Sequence, residues 1–121
     1  MDTALPGPER EVLALLAESG LGYDGIAELL GVTRLDVATL AATARLRLAR
    51  ATPVPEACRA QLPHLASRID DERIDQPAHP DGCASCAAAL AAMRAADAAY
   101  RADRPPLMPD AVRHRLNGLS Y

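Results

Sequence analysis

The 121-residue sequence has no phenylalanine, no tryptophan and no lysine, and only three tyrosines. Without large rings the core must be built from aliphatic side chains. The hydrophobic share is 50%, but its largest component is alanine, which contributes little transfer free energy, and a chain this short buries a modest fraction of its surface. Some staple is therefore expected: a metal, a disulfide or a partner. Scarce β-branched and aromatic residues exclude a strand-rich fold, and abundant helix formers make the expected class all-α. No apolar run approaches the ~20 residues that cross a bilayer, so no membrane partner is expected. The opening Met-Asp-Thr-Ala-Leu-Pro lacks the basic and apolar regions of a signal peptide. A cytoplasmic, reducing location is expected. There, three cysteines argue for metal ligation before disulfides.

Positive charge is also in deficit. Thirteen basic residues, all arginine, stand against sixteen acidic ones, a net charge of −3. That balance lacks the electrostatic footprint of an autonomous nucleic-acid binder. No glycine-rich phosphate loop and no nucleophile–base–orienter set occurs, so neither enzymatic activity nor a small-molecule substrate is expected. The run Asp70-Asp71-Glu72, with Asp75 nearby, lacks calcium-loop spacing and is expected to be a solvated acidic turn. His114, between Arg113 and Arg115, is expected in an exposed basic patch.

Helical punctuation is clear in the first half. Pro8 suits a first helical position, with Glu9 and Glu11 at the positive end of the dipole and Gly20 as a stop. A second helix is expected over residues 23–30, with Ile26, Leu29 and Leu30 inward and Gly31 ending it. Thr33 has the place of an N-cap and Asp36 that of its capping-box partner, opening a third helix over 34–50. The turn Gly31-Val32-Thr33 between these two helices makes a helix-turn-helix candidate. Pro53 and Pro55 mark a linker at 51–57. Beyond it one amphipathic helix is expected over 58–69 despite Pro63, then a loop over 70–82. A strong alanine-rich helix follows over 84–103 with landmarks Leu90, Met93 and Tyr100, and a last short helix over 109–116 within a tail at 105–121.

On the third helix the expected buried stripe is Val37, Ala41, Ala44 and Leu48. Leu35, Leu40 and Leu46 then face outward, with Arg34, Thr39, Arg45 and Arg47 as the remaining polar groups able to meet DNA. Alanine and leucine offer no donors to bases or phosphates, so that face suits a protein partner better.

The second half carries His79-x-x-x-Cys83-x-x-Cys86, with Cys58 upstream. Chemically, Cys58, His79, Cys83 and Cys86 make a Cys₃His set for one structural Zn²⁺, contributing on the order of 10 kcal/mol to folding. His64 is a reserve ligand.

Two resemblances follow from these residues. Leu5-Pro6, then Arg10-Glu11-Val12-Leu13, Gly20-Leu21-Gly22-Tyr23 and Ile26-Ala27-Glu28-Leu29-Leu30-Gly31-Val32 resemble region four of extracytoplasmic-function sigma factors over residues 5–50. That resemblance implies a helix-turn-helix reading promoter DNA. Family members carry cations on the recognition helix where this chain has Ala38, Thr39, Leu40, Ala41, Ala42 and Thr43. The pattern of Cys58, His79, Cys83 and Cys86 resembles the zinc-binding anti-sigma factor domain over 58–100. It implies a zinc-stabilised helical domain that grips a sigma factor, with Leu90, Met93 and Tyr100 on the matching helix. The expected architecture is a helix-turn-helix three-helix unit (1–50) joined to a small zinc-stapled helical domain (58–104). The expected function is transcription regulation by contact with a sigma factor or RNA polymerase, in a chain without room for a complete sigma factor. The alternative is a small transcription factor binding promoter DNA.

Overall fold

Proline, glycine and one capping box set the helix boundaries. The computed structural model describes residues 5–74 and 83–103. Among them the chain forms six helices and no strand: α1 (Gly7–Glu18), α2 (Tyr23–Leu30), α3 (Arg34–Ala49), α4 (Glu56–Arg59), α5 (Leu62–Asp70) and α6 (Ala84–Asp103). Pro8 lies in the first turn of α1, where its missing N–H is one the helix could not have used. Gly31 ends α2 in the left-handed conformation, φ 72°, which favours glycine. The capping box of α3 is closed both ways: Thr33 Oγ1 accepts from Asp36 N–H at 3.0 Å, and an Asp36 carboxylate oxygen accepts from Thr33 N–H at 3.1 Å. No helix among the described residues is long and apolar enough to cross a membrane.

Two local expectations need correction. The single helix expected over 58–69 is two, α4 and α5, with Pro63 in the first turn of α5. A proline inside a helix loses a hydrogen bond and clashes with the carbonyl four residues back. The chain instead breaks before it and restarts, which makes Pro63 a helix opener. Leu29, expected inward, is 63% exposed. The buried face of α2 is Tyr23, Ile26 and Ala27, spaced i, i+3, i+4, and Leu29 at i+6 falls on the other side. The short helix expected over 109–116 lies outside the described residues, as does His114.

α3 is the centre of the molecule, packed by α1, α2, α5 and α6. Its buried side chains are Val37, Ala38, Ala41, Ala42, Ala44 and Arg45, a far wider face than the single stripe expected. Alanine on several sides lets neighbouring helices approach closely, and close packing supplies dispersion contacts that small transfer energies do not. One hydrophobic cluster runs through both halves of the chain. It joins Val12, Tyr23, Ile26 and Val37 to Cys58, Leu65, Ala66, Cys86 and Met93. A second cluster of Leu5, Leu13, Ala44 and Tyr100 seals α1 and α3 against the far end of α6.

Candidate metal centre

Three elements carry the three cysteines. Cys58 sits in the one-turn helix α4, Cys83 immediately precedes α6, and Cys86 lies in the first turn of α6. The Cys83 carbonyl accepts from Ala87 N–H at 3.1 Å, so it opens the helical ladder of α6. The Cys-x-x-Cys spacing then places two sulfurs about one turn apart at a helix N-terminus, where the backbone dipole favours thiolate. Pro55 starts the turn that brings in the third: Cys58 N–H donates to the Pro55 carbonyl at 2.9 Å.

The three sulfurs lie within 4.8 Å of one another, with Cys58 Sγ and Cys83 Sγ 3.6 Å apart. That spacing is far beyond a disulfide bond of ~2.05 Å, and none of the three cysteines is in a disulfide. A tetrahedral ion with sulfur bonds of about 2.3 Å holds its sulfurs roughly 3.8 Å apart, so the donor set fits a metal ion. Burial pushes the Cys86 thiol up to about 12, with the neighbouring sulfurs of Cys58 and Cys83 adding to the shift. Thiolates crowded this closely repel one another unless a cation lies between them. Three close cysteines can thus hold a metal ion. His79 lies outside the described residues, and His64 is not among the atoms that cluster with the sulfurs.

The four polar groups expected to face DNA are all engaged within the molecule. Arg34 bonds Asp24 at 2.7 Å, Glu72 at 2.8 Å and the Arg73 carbonyl at 2.6 Å, and its guanidinium lies over the Tyr23 ring. Arg47 pairs with the buried Glu9 at 3.1 Å. The Thr39 hydroxyl donates to the Leu35 carbonyl at 2.8 Å. Arg45, expected outward, is fully buried, with a two-pronged pair to Asp70 at 2.6 and 2.8 Å and a further bond to Asp97 at 3.1 Å. Burial works against its charge, but the hydrogen bond and charge of Asp70, then the charge of Asp97, outweigh it and raise the guanidinium above its ordinary range. Tyr23 donates its hydroxyl to the same Asp70.

The residues expected to meet a partner divide. Leu35 is 47% exposed, whereas Leu40, Leu46 and Leu90 are half-buried against the main cluster. Met93 and Tyr100 are core residues, 0% and 4% exposed. A helix that fills the core from one face has no long side chains left there for gripping. The acidic run is corrected at two positions: the Asp70 side chain is 3% exposed and that of Glu72 20%, whereas Asp71 is exposed as expected and Asp75 lies outside the described residues. Glu72 also accepts from Tyr23 N–H at 3.2 Å, an anion at the N-terminus of α2 supplied from 49 residues away. Nothing in the spacing of Glu9, Asp70, Glu72 and Asp97 announces these roles. For Arg45 one signal existed, because it continues the Val37–Ala41 stripe at i+8.

Compared with protein-family models, curated proteins and solved structures, the chain matches none. Its fold and site define a class by themselves: an all-helical protein whose two halves share one core and whose three cysteines gather into a site able to hold a metal ion.

Proposed function

We propose that this protein is a zinc-stapled helical transcription regulator acting by protein contact, with a sigma factor or RNA polymerase as the partner. Cys58, Cys83 and Cys86 would hold the zinc with His79 as fourth ligand. A closed Cys₃His set leaves no open position for catalysis and works as a staple. The observation that carries the reading is the fate of the arginines on α3: Arg34, Arg45 and Arg47 all spend their charge on carboxylates of the same chain. An arginine already paired releases few counterions on meeting phosphate and has few donors left for bases. Around the α2–α3 turn the apolar side chains of Leu29, Val32 and Leu35 are exposed, which suits a protein interface.

Two measurements test the reading. Metal analysis of the purified protein is expected to find one zinc per chain, reduced in Cys83→Ser. Pull-down against purified sigma factors and core polymerase is expected to retain one of them. Failure to retain any, together with a specific band shift on promoter DNA that survives ~0.15 M salt, would replace it with the DNA-binding alternative.

A further inference from the structure

A cleft of about 730 Å³ opens beside the C-terminal half of α3, walled on its other side by the segment after α3 and by residues of α4 and α5. Leu46, Val54 and Leu62 supply its apolar lining, and Arg47, Arg50 and Arg59 its charge. Among the described residues, no carboxylate lines it. Arg47 is already paired with Glu9, but neither Arg50 nor Arg59 makes an ion pair or a side-chain hydrogen bond among the described residues. Both are exposed. Other exposed arginines are unpaired too, but Arg50 and Arg59 line the same apolar cleft, in a chain of net charge −3.

Arg50 is unusual in a second way. It caps α3 in the left-handed conformation, φ 53°, at the position where helices ordinarily use glycine. Its backbone N–H closes the end of α3 on the Arg47 and Leu46 carbonyls, and glycine could make the same bonds without strain. Arginine here carries a backbone cost that glycine would not, set against its favourable charge at the negative end of the helix dipole, and costs of this kind gather at functional positions.

The length of the cleft narrows the occupant. Its lining along α3 runs from Thr39 to Arg50, roughly 16 Å at the helical rise, which suits about three turns of a docked helix better than a small metabolite. Among the described residues its lining includes no aromatic side chain on which bases could stack. We propose that this cleft docks an acidic amphipathic helix of a protein partner, its apolar stripe on Leu46, Val54 and Leu62 and its carboxylates on Arg50 and Arg59. Guanidinium groups take carboxylates in paired hydrogen bonds, and helix-in-groove docking needs an apolar floor with such a rim. The inference rests on the protein-contact reading above and adds the chemistry of the partner's contact segment.

The test uses the full, metal-loaded chain and a fluorescein-labelled peptide of about four helical turns, with Leu at i, i+3, i+4 and i+7 and Glu between them. Saturable binding by anisotropy is expected at ~0.15 M salt, weakened about tenfold by Arg50→Gly and by Arg59→Gln. Arg50→Gly is also expected to melt no lower than the parent, which separates a docking role from a structural one. Four results overturn the proposal: no saturable binding at about 1 mM peptide, unchanged affinity in both variants, equal binding of the Gln-for-Glu peptide, or tighter binding of a short DNA duplex lost in the same variants. Peptide binding without retention of a sigma factor or polymerase would leave the cleft standing and change only the partner. Retention without peptide binding would do the reverse.

Discussion

At the scale of single residues, Arg45 and Asp70 are the most consequential pair, because neither charge has access to water. A buried guanidinium and carboxylate offset their lost hydration only while both are present. Asp70→Ala is expected to cost about 3–5 kcal/mol in urea unfolding, because it leaves the buried Arg45 with Asp97 as its one carboxylate and frees the Tyr23 hydroxyl. Replacing both, Arg45→Met with Asp70→Leu, is expected to recover most of that loss; a double variant as unstable as the single one would show that the ionic pair itself is favourable. Tyr23 gives a pH test. Burial, then the charge and hydrogen bond of Asp70, raise its phenol above the ordinary 10.0. The folded state therefore keeps the proton after the unfolded chain has released it. Stability is complete below pH 10 and falls as pH climbs beyond it, by at most ~1.4 kcal/mol per pH unit for this group. Alkaline melts of Tyr23→Phe are expected to lose that part of the slope.

At the scale of elements, the ends of the helices do more than the middles. α3 is rich in alanine and threonine, and the Thr33–Asp36 box gives it a defined start. Thr33→Ala is expected to lower stability by about 1 kcal/mol, seen as a shifted urea midpoint with unchanged slope. The start of α2 has Gly22 in place of a capping side chain, and Glu72 fills the gap: a Cβ at Gly22 would meet the Glu72 carboxylate at 2.6 Å. One acidic side chain just beyond α5 thereby serves α2 and, through Arg34, α3. The end of α5 is formed by Asp71 in a left-handed conformation, φ 54°, which turns the chain so that Glu72 can reach back.

At the scale of the whole molecule, α3 belongs to both halves, so neither half has a core of its own. The main cluster spans α1 to α6, and the Tyr23–Asp70–Arg45–Asp97 chain of bonds crosses it. A fragment of residues 1–50 is expected to show little cooperative melting by circular dichroism, because it exposes the α5- and α6-facing sides of α3 and strands Arg45. A sharply melting fragment would mean that the N-terminal helices suffice. The intact chain is expected to unfold in one transition, and a metal ion added to the three cysteines to raise that single midpoint, since Cys58 and Cys86 are members of the same cluster.

The helices themselves were legible from sequence, because their signals are local. Proline and glycine positions, the capping box and alanine content place α1, α2, α3 and α6 within a residue or two of where they lie. The three-cysteine grouping was legible for a related reason, since few arrangements other than a shared ion suit reduced thiols at that spacing. Tertiary structure alone decided what α3 is for. Whether an arginine faces solvent or a carboxylate depends on elements 25 to 52 residues away, and periodicity along one helix carries no information about what packs against it. The same holds for Met93 and Tyr100, whose stripe reads equally as a core face or a docking face until α3 is seen to occupy it.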